Sequence, residues 1–215
     1  EMIAHWWEQA EIHGVLPLDD RGVELFGARF RKNSPHPEDR RYVYRPPMSP
    51  MPSQASGGVG GRNVDIVAKV TYKKGDEGVL YASGTQNSGV SVFIQNGRLI
   101  FDYNAFGDHT IIESAELVPE GDHELRAVLR RGDGMSGFLE VTIDGVSGGS
   151  AEVSLFMRMI SSVGPSVGFD HGSPISTRYS APYAYTGELH EIIIESGPRR
   201  VDTAAAEAQA EMNRQ

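Results

Sequence analysis

Residues 90–103 read VSVFIQNGRLIFDY, from Val90 to Tyr103, and they decide the fold. Asn96-Gly97 suits a two-residue type I′ turn, because both central positions need φ > 0. Around that turn Ile94 faces Leu99, Val92 faces Phe101 and Val90 faces Tyr103, so one face of the hairpin is wholly apolar and belongs to a core. The other face carries Ser91, Phe93, Gln95, Arg98, Ile100 and Asp102, and is neither plainly buried nor plainly solvated.

The period-two pattern extends outward from this hairpin. Val64, Ile66, Ala68, Val70 and Tyr72 alternate with Asp65, Lys69 and Thr71, as in a half-buried strand. Further strands are expected at Gly78–Ser83, Val90–Gln95, Arg98–Tyr103, His109–Glu113, His123–Arg130, Gly137–Asp144, Glu152–Phe156 and Gly187–Glu195. Leu125, Ala127 and Leu129 can pair with Leu139, Val141 and Ile143 across the Gly132-Asp133-Gly134 loop, with Glu124, Arg126, Arg130, Glu140 and Thr142 turned to water. Turn signals recur every several residues, which points to a sandwich rather than βαβ units. The predicted fold class is mainly β, a two-sheet antiparallel jelly-roll sandwich with a short N-terminal helical segment.

Composition narrows the function. The 215 residues are 39% hydrophobic, contain 25 Gly and 12 Pro, and carry a formal net charge of −9. That charge, with no cluster of Lys and Arg, argues against a nucleic-acid partner. No apolar run approaches the ~20 residues needed to cross a bilayer. Cys is absent, which removes disulfides, thiolate metal sites and Cys nucleophiles. It favours a bacterial protein and leaves cytoplasm or periplasm open.

Four segments follow. Residues 1–30 read as a helix with Ile3, Trp6, Trp7 and Ala10 on one face, a stop at Gly14, the stretch VLPLDDR, and a short piece carrying Val23, Leu25, Phe26 and Phe30. No methionine start or leader introduces it, so the chain is expected to open within a larger structure. Residues 31–62 are a connector rich in Pro and Gly, within which Tyr42, Val43 and Tyr44 can add an edge strand. Residues 63–197 are the sandwich. Residues 198–215 are a polar tail whose Ala/Glu/Gln-rich part, from Ala204, has helical composition but only Met212 as an apolar anchor.

Two stretches carry a family resemblance. The double Trp followed at fixed distance by GVLPLDDR resembles the end of the catalytic domain of type I (arylsulfatase-like) sulfatases. The run GVLYASGTQNSGVSVFIQNGRLIFDYNAFG and the later VTIDGV are similar to concanavalin A-like, or laminin G-like, jelly-roll domains. VGFDHGSPISTRYSAPYAYTGELHEIIIE looks like the closing section of such a domain at the C-terminus of bacterial arylsulfatase-like proteins. The resemblance implies an accessory domain that packs on a sulfatase catalytic domain, its partner, and shapes the cleft, with Trp6, Trp7, Leu16, Pro17, Leu18, Asp19, Asp20 and Arg21 docking it. It also implies calcium in the parent enzyme, with no cofactor or metal ligand in this chain.

The catalytic residues of that family are not in this chain. Its C/S-x-P-x-R motif is absent: there is no Cys, and Ser34-Pro35 and Ser49-Pro50 lack the following Arg. Asp19-Asp20 alone does not supply a metal site, and no G-x-S-x-G elbow marks a hydrolase triad. Gly57–Gly61 is followed by no Lys-Ser/Thr and reads as linker, not a phosphate loop. A candidate ligand site lies at the rim of the sandwich, at Asp170, His171, Tyr179, Tyr183 and Tyr185. Asp170 is either a calcium ligand or a turn-forming cap, and the tyrosines either stack on a sugar or pack on the protein. The alternative function is a freestanding lectin-like module for a sulfated or plain carbohydrate ligand, using Phe93, Asp102 and Tyr103 or the rim near Asp170. A third reading is an oligomerisation domain with Trp6 and Trp7 buried between identical chains.

Overall fold

The computed structural model describes residues 2–12, 40–52, 56–157 and 163–197. The chain divides into two units: residues 38–198, and the termini 1–37 with 199–215. In the terminal unit the described element is helix α1 (Met2–Ile12). It ends just before the predicted stop at Gly14. Trp6 and Trp7 meet edge to face at 4.9 Å between centroids. Ile3, Trp6 and Trp7, expected on one face, are all exposed, as are Met2 and Ile12. The stretch Leu16–Arg21 and the tail from Ala204 lie outside the described residues.

The larger unit is the expected two-sheet antiparallel jelly-roll sandwich. One sheet has the order β1–β11–β2–β7–β8–β9, built from Arg40–Tyr44, Glu188–Ser196, Val64–Tyr72, Gly121–Arg131, Gly137–Ile143 and Val146–Val153. The other has the order β10–β3–β4–β5–β6, from Ser166–Val167, Gly78–Thr85, Ser88–Gln95, Arg98–Ala105 and Asp108–Glu113. Every pairing within these sheets is antiparallel.

The deciding hairpin has the expected register, with Ile94 opposite Leu99, Val92 opposite Phe101 and Val90 opposite Tyr103. Its turn residues Asn96 and Gly97 have φ of 52° and 74°. The six side chains are buried against Val64, Ile66, Ala68, Val70, Leu125, Ala127, Leu129, Leu139 and Val141 of the other sheet. Each such side chain contributes about 1.5–3 kcal/mol relative to exposure. Leu125, Ala127 and Leu129 pair with Ile143, Val141 and Leu139 as anticipated.

Tyr42–Tyr44 do form an edge strand, opposite Ile192–Ile194. The strand expected at Glu152–Phe156 lies earlier, at Val146–Val153. Asp144-Gly145, with φ of 51° and 79°, turns the chain directly into it. Its Ser-Gly-Gly-Ser sequence has low strand propensity, but close approach of the neighbouring chain requires it. A β-carbon at Gly149 would stand 3.1 Å from the Glu113 carbonyl oxygen, and one at Gly148 would stand 3.1 Å from Cβ of Ser114.

The mixed face of the hairpin is buried by the chain itself. Residues 168–187 cross the outside of the five-stranded sheet. There Phe93, Ile100, Val79, Ala82 and Ile175 form a second apolar cluster with Ile111, Tyr179 and Tyr183. Backbone bonds fasten this closing segment: Gly168 N to Leu80 O, Val79 N to Tyr183 O and Thr186 N to Glu77 O, each 2.9 Å. The outer face of the six-stranded sheet instead carries cross-strand ion pairs. Arg126 meets Asp65 at 2.9 Å, and Glu191 meets Lys69 at 2.9 Å.

Candidate functional site

Asp170 enters the closing segment after Gly168, whose φ of 81° redirects the chain. Its side chain is buried. Tyr179 Oη donates to Asp170 Oδ2 at 2.6 Å, and Ile175 N donates to the same oxygen at 3.0 Å. With its proton committed to Asp170, Tyr179 accepts a 2.8 Å bond from the Ser91 hydroxyl on β4. Burial pushes Asp170 above the ordinary carboxylate range, against the lowering effect of the Tyr179 and Ile175 bonds. The same burial and the adjoining carboxylate push the Tyr179 phenol up.

The tyrosines point into the protein. Tyr179 and Tyr183 are stacked at 5.2 Å, and Phe93 meets Tyr179 edge-on at 5.1 Å. Tyr183 Oη donates to Glu77 at 3.1 Å, and burial together with that carboxylate pushes its pKa up to about 12. Tyr185 is half-buried, and its hydroxyl lacks a hydrogen-bond partner among the described residues. His171, half-buried, lies with its ring 6.4 Å from that of Phe169. Phe93 and Asp102 lie beneath the closing segment and Tyr103 is in the main core, so a ligand on this side meets the segment rather than those three residues.

A second buried carboxylate holds the middle of the segment. Asp102 accepts from His109 Nδ1 at 2.9 and 3.1 Å and from the Ser176 hydroxyl, and burial raises its pKa despite these bonds. Ser, His and Asp meet here in an order that activates no nucleophile. The hydroxyl sits on the carboxylate, whereas activation places it on the imidazole.

Among the described residues no group of three or more His, Asp or Glu side chains converges to hold a metal ion. Asp170, the candidate calcium ligand, already accepts two hydrogen bonds through one oxygen and acts as the cap of its own loop. Also among the described residues, no helix is long and apolar enough to cross a membrane.

No family model and no curated protein matches the chain. Its likenesses are to solved structures. Domains LG4–5 of the mouse laminin α1 chain are 18% identical with a TM-score of 0.47, over 75% of this chain and 40% of that one. Domain 4 of a GH43 extracellular arabinanase from Geobacillus stearothermophilus, solved with arabinotriose, is 13% identical with a TM-score of 0.44, over 74% and 71%. NanB, solved with Optactamide, is 10% identical with a TM-score of 0.49, over 77% and 27%. These likenesses extend to the fold alone. This chain spans well under two thirds of the laminin and NanB chains.

Of the residues expected to dock on a catalytic domain, some are described and some are not. Trp6 and Trp7 are about half exposed, at 49% and 53%, and Leu16, Pro17, Leu18, Asp19, Asp20 and Arg21 lie outside the described residues. Sequence reading missed the buried Asn104, whose amide donates to Ile175 O of the closing segment, and the exposed Phe106 two residues on. One signal was present. Phe106-Gly107 occupies the hairpin position that Asn96-Gly97 and Asp144-Gly145 fill elsewhere, with an aromatic in place of Asn or Asp.

Proposed function

We propose that this chain is a non-catalytic β-sandwich module from the C-terminal part of an arylsulfatase-like sulfuric ester hydrolase, carried against the catalytic domain by its N-terminal segment. The observation that carries the reading is the adjacent Trp6–Trp7 pair on α1, left about half exposed beside exposed Met2 and Ile3. Exposed apolar surface of this kind marks an interaction site, and paired indoles are favoured anchors at one. The residues that resemble sulfatase C-termini, at both ends of the sandwich sequence, support the same assignment. The buried bonding of Asp170, Tyr179 and Tyr183 supports a structural role for the closing segment.

The test compares the isolated chain with the protein that carries both parts. The chain alone is expected to hydrolyse no aryl sulfate, and Trp6→Ala with Trp7→Ala is expected to lower the melting temperature of the whole protein. Turnover by a clean preparation of the chain, or no response to the Trp changes, would overturn the assignment.

A second reading, a glycan-binding module, is favoured by a different observation. Phe106 stands exposed at a hairpin tip among polar side chains. The two readings are compatible, since an accessory domain can also bind a glycan.

A further inference from the structure

One buried side chain ties three loops together at one end of the sandwich. Asn104 is fully buried on β5. Its amide nitrogen donates to Gln86 O in the β3–β4 turn at 2.7 Å and to Ile175 O in the closing segment at 3.2 Å. Its amide oxygen accepts from Gly107 N at the β5–β6 tip at 2.8 Å. Gln86 N further donates to Ser173 Oγ at 3.2 Å. The loops thus form one pre-set rim.

Phe106 stands on that rim with 64% of its surface exposed and φ of 57°. A bulky residue in the left-handed region is an outlier, because its β-carbon crowds the following carbonyl. The two other tips of this kind relieve the crowding with Asn96 and Asp144. Here a ring is held in water at a conformational cost that a smaller residue would avoid, and strain of this kind concentrates at functional sites. Gln86 and Asn87 on the β3–β4 turn and Asp108 on the same tip as Phe106 are exposed on the two loops that Asn104 joins.

We propose that this rim is a carbohydrate-binding subsite. The Phe106 ring takes the C–H face of an uncharged sugar, and the side chains of Gln86, Asn87 and Asp108 take its hydroxyls. A sugar ring has an apolar face and a polar edge, which an exposed aromatic flanked by amides and a carboxylate matches. Pre-ordering by Asn104 lowers the entropy lost on binding. Charge selects the class. Asp108 and the net charge of −9 oppose a sulfated chain. The His109 ring next to Asp108 is engaged by Asp102 at 2.9 Å. The subsite rests on the glycan-binding reading and is independent of the sulfatase assignment.

The test is affinity electrophoresis of the full chain in native gels containing xylan, arabinan, galactan, mixed-linkage β-glucan, carrageenan or heparin. At least one neutral polysaccharide is expected to retard the chain, and neither sulfated polymer is. Phe106→Asn, which suits the left-handed turn, is expected to weaken retardation at least tenfold with an unchanged or higher melting temperature. Phe106→Tyr is expected to retain binding. No retardation by any neutral polymer, retardation by the sulfated ones only, or equal retardation of Phe106→Asn would overturn the proposal. The sulfatase assignment is tested separately, by the Trp6→Ala, Trp7→Ala change in the protein carrying both parts.

Discussion

The Tyr179 hydroxyl and the Asp170 carboxylate, nine residues apart, share a 2.6 Å hydrogen bond that closes the segment over the five-stranded sheet. Through Ser91 the bond reaches β4, and through Ile175 N it closes the segment's own backbone. Asp170 and Tyr179 are thus committed to holding the segment down.

Asp170→Ala removes the acceptor of both bonds, leaving Ile175 N without its partner and Tyr179 Oη with Ser91 alone, beside a void. Buried groups left without partners cost about 1–3 kcal/mol each. The expected loss is roughly 3 kcal/mol, or about 6–12 °C of melting temperature for a domain of this size. Thermal unfolding followed by near-ultraviolet circular dichroism reads it, and a fall of less than 2 °C or so would refute this role.

The two buried carboxylates also set a pH dependence. Burial raises Asp102, facing Ser176, His109 and Arg178, and Asp170, facing Tyr179, Ile175 N and His171. A carboxyl with a raised folded pKa contributes stability that is fully present below its unfolded value, about 3.9, and is lost as pH rises through the folded value. Relative to a variant with both Asp102→Asn and Asp170→Asn, the wild type should lose stability as pH rises from that point. Asp144 runs the other way. His123 and the Glu124 N–H hold its carboxyl low, so its contribution is lost as pH falls through that lowered value. Melting curves across the acid range compare the slopes, and identical slopes in wild type and double variant would contradict the assignment.

Gly78 begins β3 at a φ of 125°, and a β-carbon there would stand 2.5 Å from the Tyr185 backbone nitrogen. Gly78→Ala forces the closing segment away from β3, at a cost of about 3 kcal/mol. Hydrogen exchange should then quicken at Val79 N and Thr186 N, which the fold protects. Unchanged exchange at both amides would show that the close approach does not matter.

Phe106→Asn exchanges a disfavoured left-handed residue for one that tolerates it. A gain of about 1 kcal/mol, or roughly 2–4 °C, is expected. Calorimetry of the two proteins measures it. A clear loss of stability would mean that the ring packs usefully on the rim rather than awaiting a ligand.

The fold was legible wherever local chemistry and burial agreed. Asn96-Gly97 set the register of β4 on β5, and the alternation in Val64–Tyr72 and Leu125–Leu129 marked the facing sheet. Val146–Val153 was displaced in the reading because its strand is chosen by close packing at Gly148 and Gly149, which no side-chain period reveals. The outer face of the hairpin stayed ambiguous for a related reason. The residues that cover Phe93 and Asp102 arrive some seventy to ninety positions later, in Ile175, Ser176 and Tyr179. Asp170 and the tyrosines were visible as a cluster, but only their partners Ser91, Ile175 and Glu77 show that they face inward.

The coding sequence immediately upstream of residue 1 tests the central assignment most directly. An open frame holding a Cys- or Ser-x-Pro-x-Arg motif within a preceding catalytic domain is the expected result. A preceding domain of unrelated chemistry, or a start codon directly before residue 1, would contradict it.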